Sequence, residues 1–206
     1  MSVRHWWISF LIDEAEYARF LTPFETARAC PVPEEGTRGI DLWRADPESF
    51  ESLAFLRGVK NEHVNDFLWA FNLPGFREFS KNFLLQSGPF GSYVREERVF
   101  RFVSLARNPP VAVLWHALGY ERARALPGTR GNLLVAPGEL EDAKTAVSRA
   151  YEDSSAEELV TRGVRFCEAD IYSPDQVREA ITHLPELLAR ASGEGKGVLA
   201  FACSEL

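Results

Sequence analysis

Apolar positions alternate through the first segment of the chain. Trp6, Ile8, Phe10 and Ile12 fall on one side, and His5, Trp7, Ser9 and Leu11 on the other. That period of two predicts a strand over Val3 to Ile12. Both sides carry bulk, so both faces are expected to be covered. Asp13 then caps a short helix bearing Tyr17, Phe20 and Leu21. Pro31, Pro33, Gly36 and Gly39 predict a loop from Cys30 to Gly39, with Ile40 to Trp43 as a short extended segment. Asp46-Pro47 is a helix start, with Phe50, Leu53 and Ala54 as the inner stripe of a helix that ends at Gly58. Asn61 opens a second helix, in which Val64, Phe67, Leu68 and Phe71 recur at helical spacing. Leu73-Pro74-Gly75 breaks it, and a third helix carries Phe76, Phe79 and Phe83 on one side. Residues 46–86 are therefore expected to form an all-helical insert or layer.

The second half alternates between helix and short strand. Tyr93 to Leu105 predicts a strand, stopped by Asn108-Pro109-Pro110. Val111 to Leu118 is apolar throughout and fits a short helix or a buried strand. Pro127-Gly128 and Gly131 mark a loop, and Leu133 to Val135 a short strand. Helices are expected over Pro137 to Asp153, over Ser155 to Arg162, and from Ser173-Pro174 onward, the last with Val177, Ile181, Leu184 and Leu188 inward and a kink or split at Pro185. Gly193, Gly195 and Gly197 end that helix. Val198 to Ala202 reads as a central buried strand. The expected fold is α+β: a mixed sheet covered by helices, the insert at about 46–86, and one domain over 1–206.

Composition narrows the function classes. The net charge of −7 argues against nucleic-acid binding, which needs a basic face to displace counterions. Three cysteines, none in a C-x-x-C pair, point to a reducing compartment, with Cys30 exposed and Cys167 and Cys203 inert in the core. Neither a secretory signal nor an apolar run of ~20 residues is present, so the expectation is a cytoplasmic protein without membrane contact. The aromatics are unusual, with 15 Phe, 5 Trp and 5 Tyr against one Met. Such a set builds either a phenylalanine-rich core or an aromatic recognition surface.

The order of elements in the C-terminal part carries a resemblance. Leu140 to Tyr151, Ser155 to Arg162, Ala169-Asp170-Ile171-Tyr172-Ser173-Pro174, the long helix and the final strand follow one another in a way that resembles the YfbM-like family, a bacterial domain of unknown function. The segment Val113-Leu114-Trp115-His116-Ala117-Leu118-Gly119 and the opening strand, aspartate and helix are also similar to it. The resemblance covers about half the chain and leaves 46–86 without a counterpart. It implies a mixed α/β bacterial domain and assigns no activity.

Reactive motifs are few. His5, His63, His116 and His183 include no i, i+4 pair and no H-E-x-x-H, so no metal and no cofactor are expected. No G-x-S-x-G elbow occurs. Gly193-Glu194-Gly195-Lys196-Gly197 follows a helix where a phosphate loop would open one. His63 and Asp66 share a helical face, and together with His116 they are the residues from which an enzyme site could be assembled.

The aromatics carry the leading expectation. Trp69 stands five positions after Val64, and Phe55 five after Phe50, each ~140° around its helix from the apolar stripe. Trp7 lies on the strand face opposite Trp6. Trp69, Phe55 and Trp7, with His63, are the expected binding residues of a non-catalytic accessory module. Its partner would be a peptide or protein, in bacterial peptide modification or toxin neutralisation. The alternatives are the enzyme just described and a structural protein that buries these aromatics in a homodimer.

Overall fold

The computed structural model describes residues 5–51, 61–84, 99–105, 108–167 and 172–204. Four strands, β1 (His5–Ile12), β2 (Val99–Leu105), β3 (Leu133–Val135) and β4 (Gly197–Ser204), form one sheet in the order β2-β1-β4-β3. All three pairings are antiparallel, where a mixed sheet was expected; the α+β class holds. The first and last strands lie side by side at the centre, His5 opposite Ser204 through Ile12 opposite Gly197. Every residue of β4 is buried, as its apolar run requires.

The period of two in β1 separates two cores. Ile8, Phe10 and Ile12 share one face with Leu199, Phe201 and Cys203 of β4. Trp7 and Leu11 share the other with Val198, Ala200 and Ala202. Helices α1 (Glu14–Arg28) and α4 (Pro74–Leu84) cover the first face with Phe20, Phe24, Phe76, Phe79 and Phe83. Asp13 caps α1 through a reciprocal capping box with Glu16, but the helix runs to 15 residues, well beyond the short one expected.

The second face is covered by α5 (Pro110–Leu118), α7 (Leu140–Tyr151), α8 (Ala156–Phe166) and α9 (Pro174–Glu194), together with α2 (Glu34–Ala45) and α3 (Asn61–Trp69). A one-turn helix, α6 (Tyr120–Ala123), follows α5. All nine residues of α5 are buried, which explains why the period of its sequence was uninformative. Among the described residues of 46–86, the break at Leu73-Pro74 sends α3 to one face and α4 to the other. The segment is thus part of both cores and not a layer added to one. Residues 52–60, including Phe55 and the expected helix end at Gly58, lie outside the described residues; Pro47–Phe50 is a single 3-10 turn.

Two local expectations are corrected. Residues 34–45 form a helix, replacing much of the loop expected to Gly39 and the extended piece at Ile40 to Trp43. Gly36 and Gly39 are buried on that helix against α3, and a Cβ on Gly39 would lie 2.2 Å from the Asp66 carbonyl carbon and the Phe67 nitrogen. These glycines serve close helix packing, which offsets their ~1 kcal/mol helix penalty. Of the kink or split expected at Pro185, the split does not occur: one helix runs from Pro174 to Glu194. Proline removes the amide that would bond to the Ile181 carbonyl. The Tyr151 hydroxyl donates to that carbonyl instead, at 2.6 Å.

Candidate functional site

Trp7, Trp43 and Trp115 are buried on the same side of the sheet. A buried indole keeps one polar atom, its N–H, which ordinarily finds an acceptor. Trp43 Nε1 donates to His116 Nδ1 at 3.1 Å, and Trp7 Nε1 to the Gly131 carbonyl at 2.8 Å. Trp115 is 7% exposed, and its Nε1 has no acceptor among the described residues.

Trp115 lines a cleft of about 170 Å³ whose other walls are Arg124, just after α6, and the loop Leu126 to Gly131. Backbone geometry shapes that loop. Gly128 and Gly131 have φ of 82° and 84°, the left-handed region that favours glycine. Thr129 and Asn132 exchange backbone hydrogen bonds of 2.8 and 3.0 Å. The Asn132 side chain donates to the Thr129 carbonyl and accepts from the Ala202 amide of β4, both at 3.0 Å. Trp7 and Asn132 therefore tie the loop to the central strands and make it a rigid support for the side chains it presents.

Arg130 is the loop's charged residue. It donates from Nη1 to the Ala70 carbonyl at 2.9 Å, which caps the end of α3. No carboxylate pairs with it among the described residues, and burial lowers its pKa, opposed by nearby Tyr120. Arg124 differs: its Nε lies 2.8 Å from Glu121 Oε2 on the exposed rim. The cleft thus offers donors and positive charge, and among the described residues no acidic one lines it. Trp69, one residue before the carbonyl held by Arg130, is 48% exposed.

The other expected residues sit elsewhere. Trp7 is 1% exposed, so it supports the loop from below and presents no ring to a partner. His63 is half-buried and has no hydrogen-bond or ion-pair partner among the described residues. Asp66 is buried, and both Nε and Nη2 of Arg38 lie 2.8 Å from its Oδ2. His116 stacks on Phe166 at 4.8 Å, and burial, reinforced by Arg162, lowers its pKa to about 4. It is neutral near pH 7, with Nδ1 occupied by Trp43 and Nε2 3.9 Å from Glu51 Oε1. A lone pair already engaged by an indole does not act as a general base. No group of three or more His, Cys, Asp or Glu side chains fit to hold a metal occurs among the described residues. Cys30 is exposed, whereas burial raises Cys167 and Cys203 to about 12. No helix among the described residues is long and apolar enough to cross a membrane.

Trp115, Arg124 and Arg130 were not singled out from the sequence. The available signal was the Pro127-Gly128 to Gly131 loop punctuation around an arginine, and it marks a loop without saying what lies beneath it. Comparison with protein-family models, curated proteins and solved structures found no match to the chain.

Proposed function

We propose that the protein is a binding module for a peptide or partner protein, anchored at the cleft under the 126–131 loop and at Trp69 beside it. The observation that carries this reading is the exposure of Trp69 next to Ala70, the residue Arg130 grips. The opposite side of α3 already buries Val64 and Phe67, so the tryptophan is not needed for packing there. Half-exposed tryptophans beside a concave site are typical binding anchors. A role as accessory factor in bacterial peptide modification or toxin neutralisation fits a module of this kind, and the resemblance to the YfbM-like family is compatible with it.

The enzyme reading is weaker, because Arg38 engages Asp66 and Trp43 engages His116. Selection of displayed random peptides on the immobilised protein tests the proposal. A shared motif should emerge, and Trp69→Ala should weaken the selected peptide about tenfold or more. Its melting temperature should barely change. Absence of enrichment, or equal binding by the variant, overturns the reading. So does a dimer in sedimentation that Trp69→Ala converts to monomer, which would assign the tryptophan to self-association.

A further inference from the structure

We infer that the cleft is an oxyanion subsite, in which Arg130 receives a carboxylate or phosphate group of the ligand against a wall formed by Trp115. The inference deepens the binding reading above by naming the chemistry of the group that enters. It starts from a count of donors and acceptors. A guanidinium has five N–H donors in a planar fork and no acceptor capacity. Arg130 directs Nη1 at the Ala70 carbonyl, while Nε and Nη2 have no partner among the described residues and are not sealed from solvent. Trp115 forms one wall of the cleft, and its indole N–H, sealed from solvent, has no acceptor among the described residues. Both residues border the same space, together with Thr129 and Arg124.

Charge points the same way. The chain as a whole carries −7, yet among the described residues no Asp or Glu lines this cleft. Glu121, the acid paired with the cleft's Arg124 at 2.8 Å, also lies 3.7 Å from Arg44. Arg130 is left as a partly desolvated cation, and an anion is the partner that offsets that desolvation. The guanidinium fork matches two oxygens of one carboxylate or phosphate better than it matches a single carbonyl. Size is adequate: one water needs ~10–15 Å³, so a cleft of about 170 Å³ admits a group of several heavy atoms. The support is preformed, because Trp7 and Asn132 hold the loop that carries Arg130.

The test follows the five indole N–H signals by nitrogen–proton NMR, with Trp115 assigned by Trp115→Phe. Sodium acetate and inorganic phosphate are titrated separately at constant ionic strength, with chloride as the control. The Trp115 signal should move saturably with at least one oxyanion and not with chloride. Arg130→Gln should weaken that response about tenfold. A Trp115 signal that follows chloride equally, that does not move, or that responds equally in Arg130→Gln overturns the subsite. If Arg130→Gln does not fold, the guanidinium signals of Arg130 in the native protein replace it: they should shift with the anion, and their constancy overturns the proposal. Stronger binding of acetate assigns a carboxylate-bearing ligand, and stronger binding of phosphate a phosphorylated one. Saturable anion binding without peptide enrichment keeps the subsite and discards the peptide reading. Enrichment without anion binding does the reverse.

Discussion

The two faces of the sheet use different aromatic chemistry. Among the described residues, one buries Phe10, Phe20, Phe24, Phe76, Phe79, Phe83 and Phe201, with no fully buried tryptophan or histidine among them and the partly buried Trp6 packed against them. Its rings meet one another directly, Phe10 and Phe83 at 4.8 Å and Phe79 edge-on to Phe201 at 5.4 Å. The other face holds three buried tryptophans, with His116 and His183 packed against Trp43 and Trp7. Here the rings also carry polar atoms that grip backbone or each other: Trp7 holds Gly131, Trp43 holds His116, and Tyr151 holds Ile181. Phenylalanine fills volume, whereas tryptophan and tyrosine fill volume and fix a chain segment at one point. The candidate cleft opens on the second face, where a loop had to be fixed.

The comparison is open to attack first on the phenylalanine face. Phe201 is fully buried against Phe10, Phe79 and Phe83. Phe201→Asp would place an unpartnered charge there and should abolish soluble folding, a loss larger than the whole stability of an ordinary domain. A soluble variant with unchanged melting temperature would show that this face is not a core.

Acid should distinguish the faces next. Burial lowers His116 to about 4 and His183 to about 3, the latter helped by Arg101. Both titrate near 6.5 when unfolded. The unfolded chain therefore takes up protons first, so their contribution is fully present above pH ~6.5 and is lost as pH falls towards the folded values. For His116 the loss amounts to about 3 kcal/mol near pH 4. Urea melts near pH 7 and pH 4 measure it, and His116→Gln should remove its part of the slope. Equal slopes in the two proteins would mean that His116 is already protonated when folded.

A smaller effect tests the polar grip of the second face. Tyr151→Phe keeps the ring and removes the hydroxyl, leaving the Ile181 carbonyl without the donor that replaces the missing Pro185 amide. The expected loss is ~1–3 kcal/mol. Restoring an amide with Tyr151→Phe/Pro185→Ala should recover part of it, which chemical denaturation of the three proteins would show. The smallest effect belongs to Trp69→Ala. A half-exposed ring away from the core should cost within ~0.5 kcal/mol of stability, and a loss of several kcal/mol would move Trp69 into the packing and out of the binding surface.

Much of the frame was legible residue by residue. Over its described part, His5 to Ile12, the alternation separated the two cores correctly, because a strand buried on both sides carries apolar side chains on both faces. Phe76, Phe79 and Phe83 declared their helix and its inner side, and Ser155 and Ser173 marked the starts of theirs, where the structure places them as N-caps of reciprocal capping boxes. Gly36 and Gly39 misled, since glycine serves a loop and a close helix contact equally well and the backbone they meet, at Asp66 to Ala70, is distant in sequence. Trp7 misled for a related reason: its partner, the Gly131 carbonyl, is 124 positions distant.

Local pattern by itself determined the strands at both ends, most helices and the two-sided burial of the sheet, because periodicity and capping act over a few residues. Tertiary structure alone decided which helix covers which face, which proline keeps its helix whole, and where donors collect without acceptors. Arg130 meets Ala70 across 60 positions, and Asn132 meets Ala202 across 70. A cleft is defined by what converges on it and by what fails to, and neither is written in the spacing of neighbouring residues.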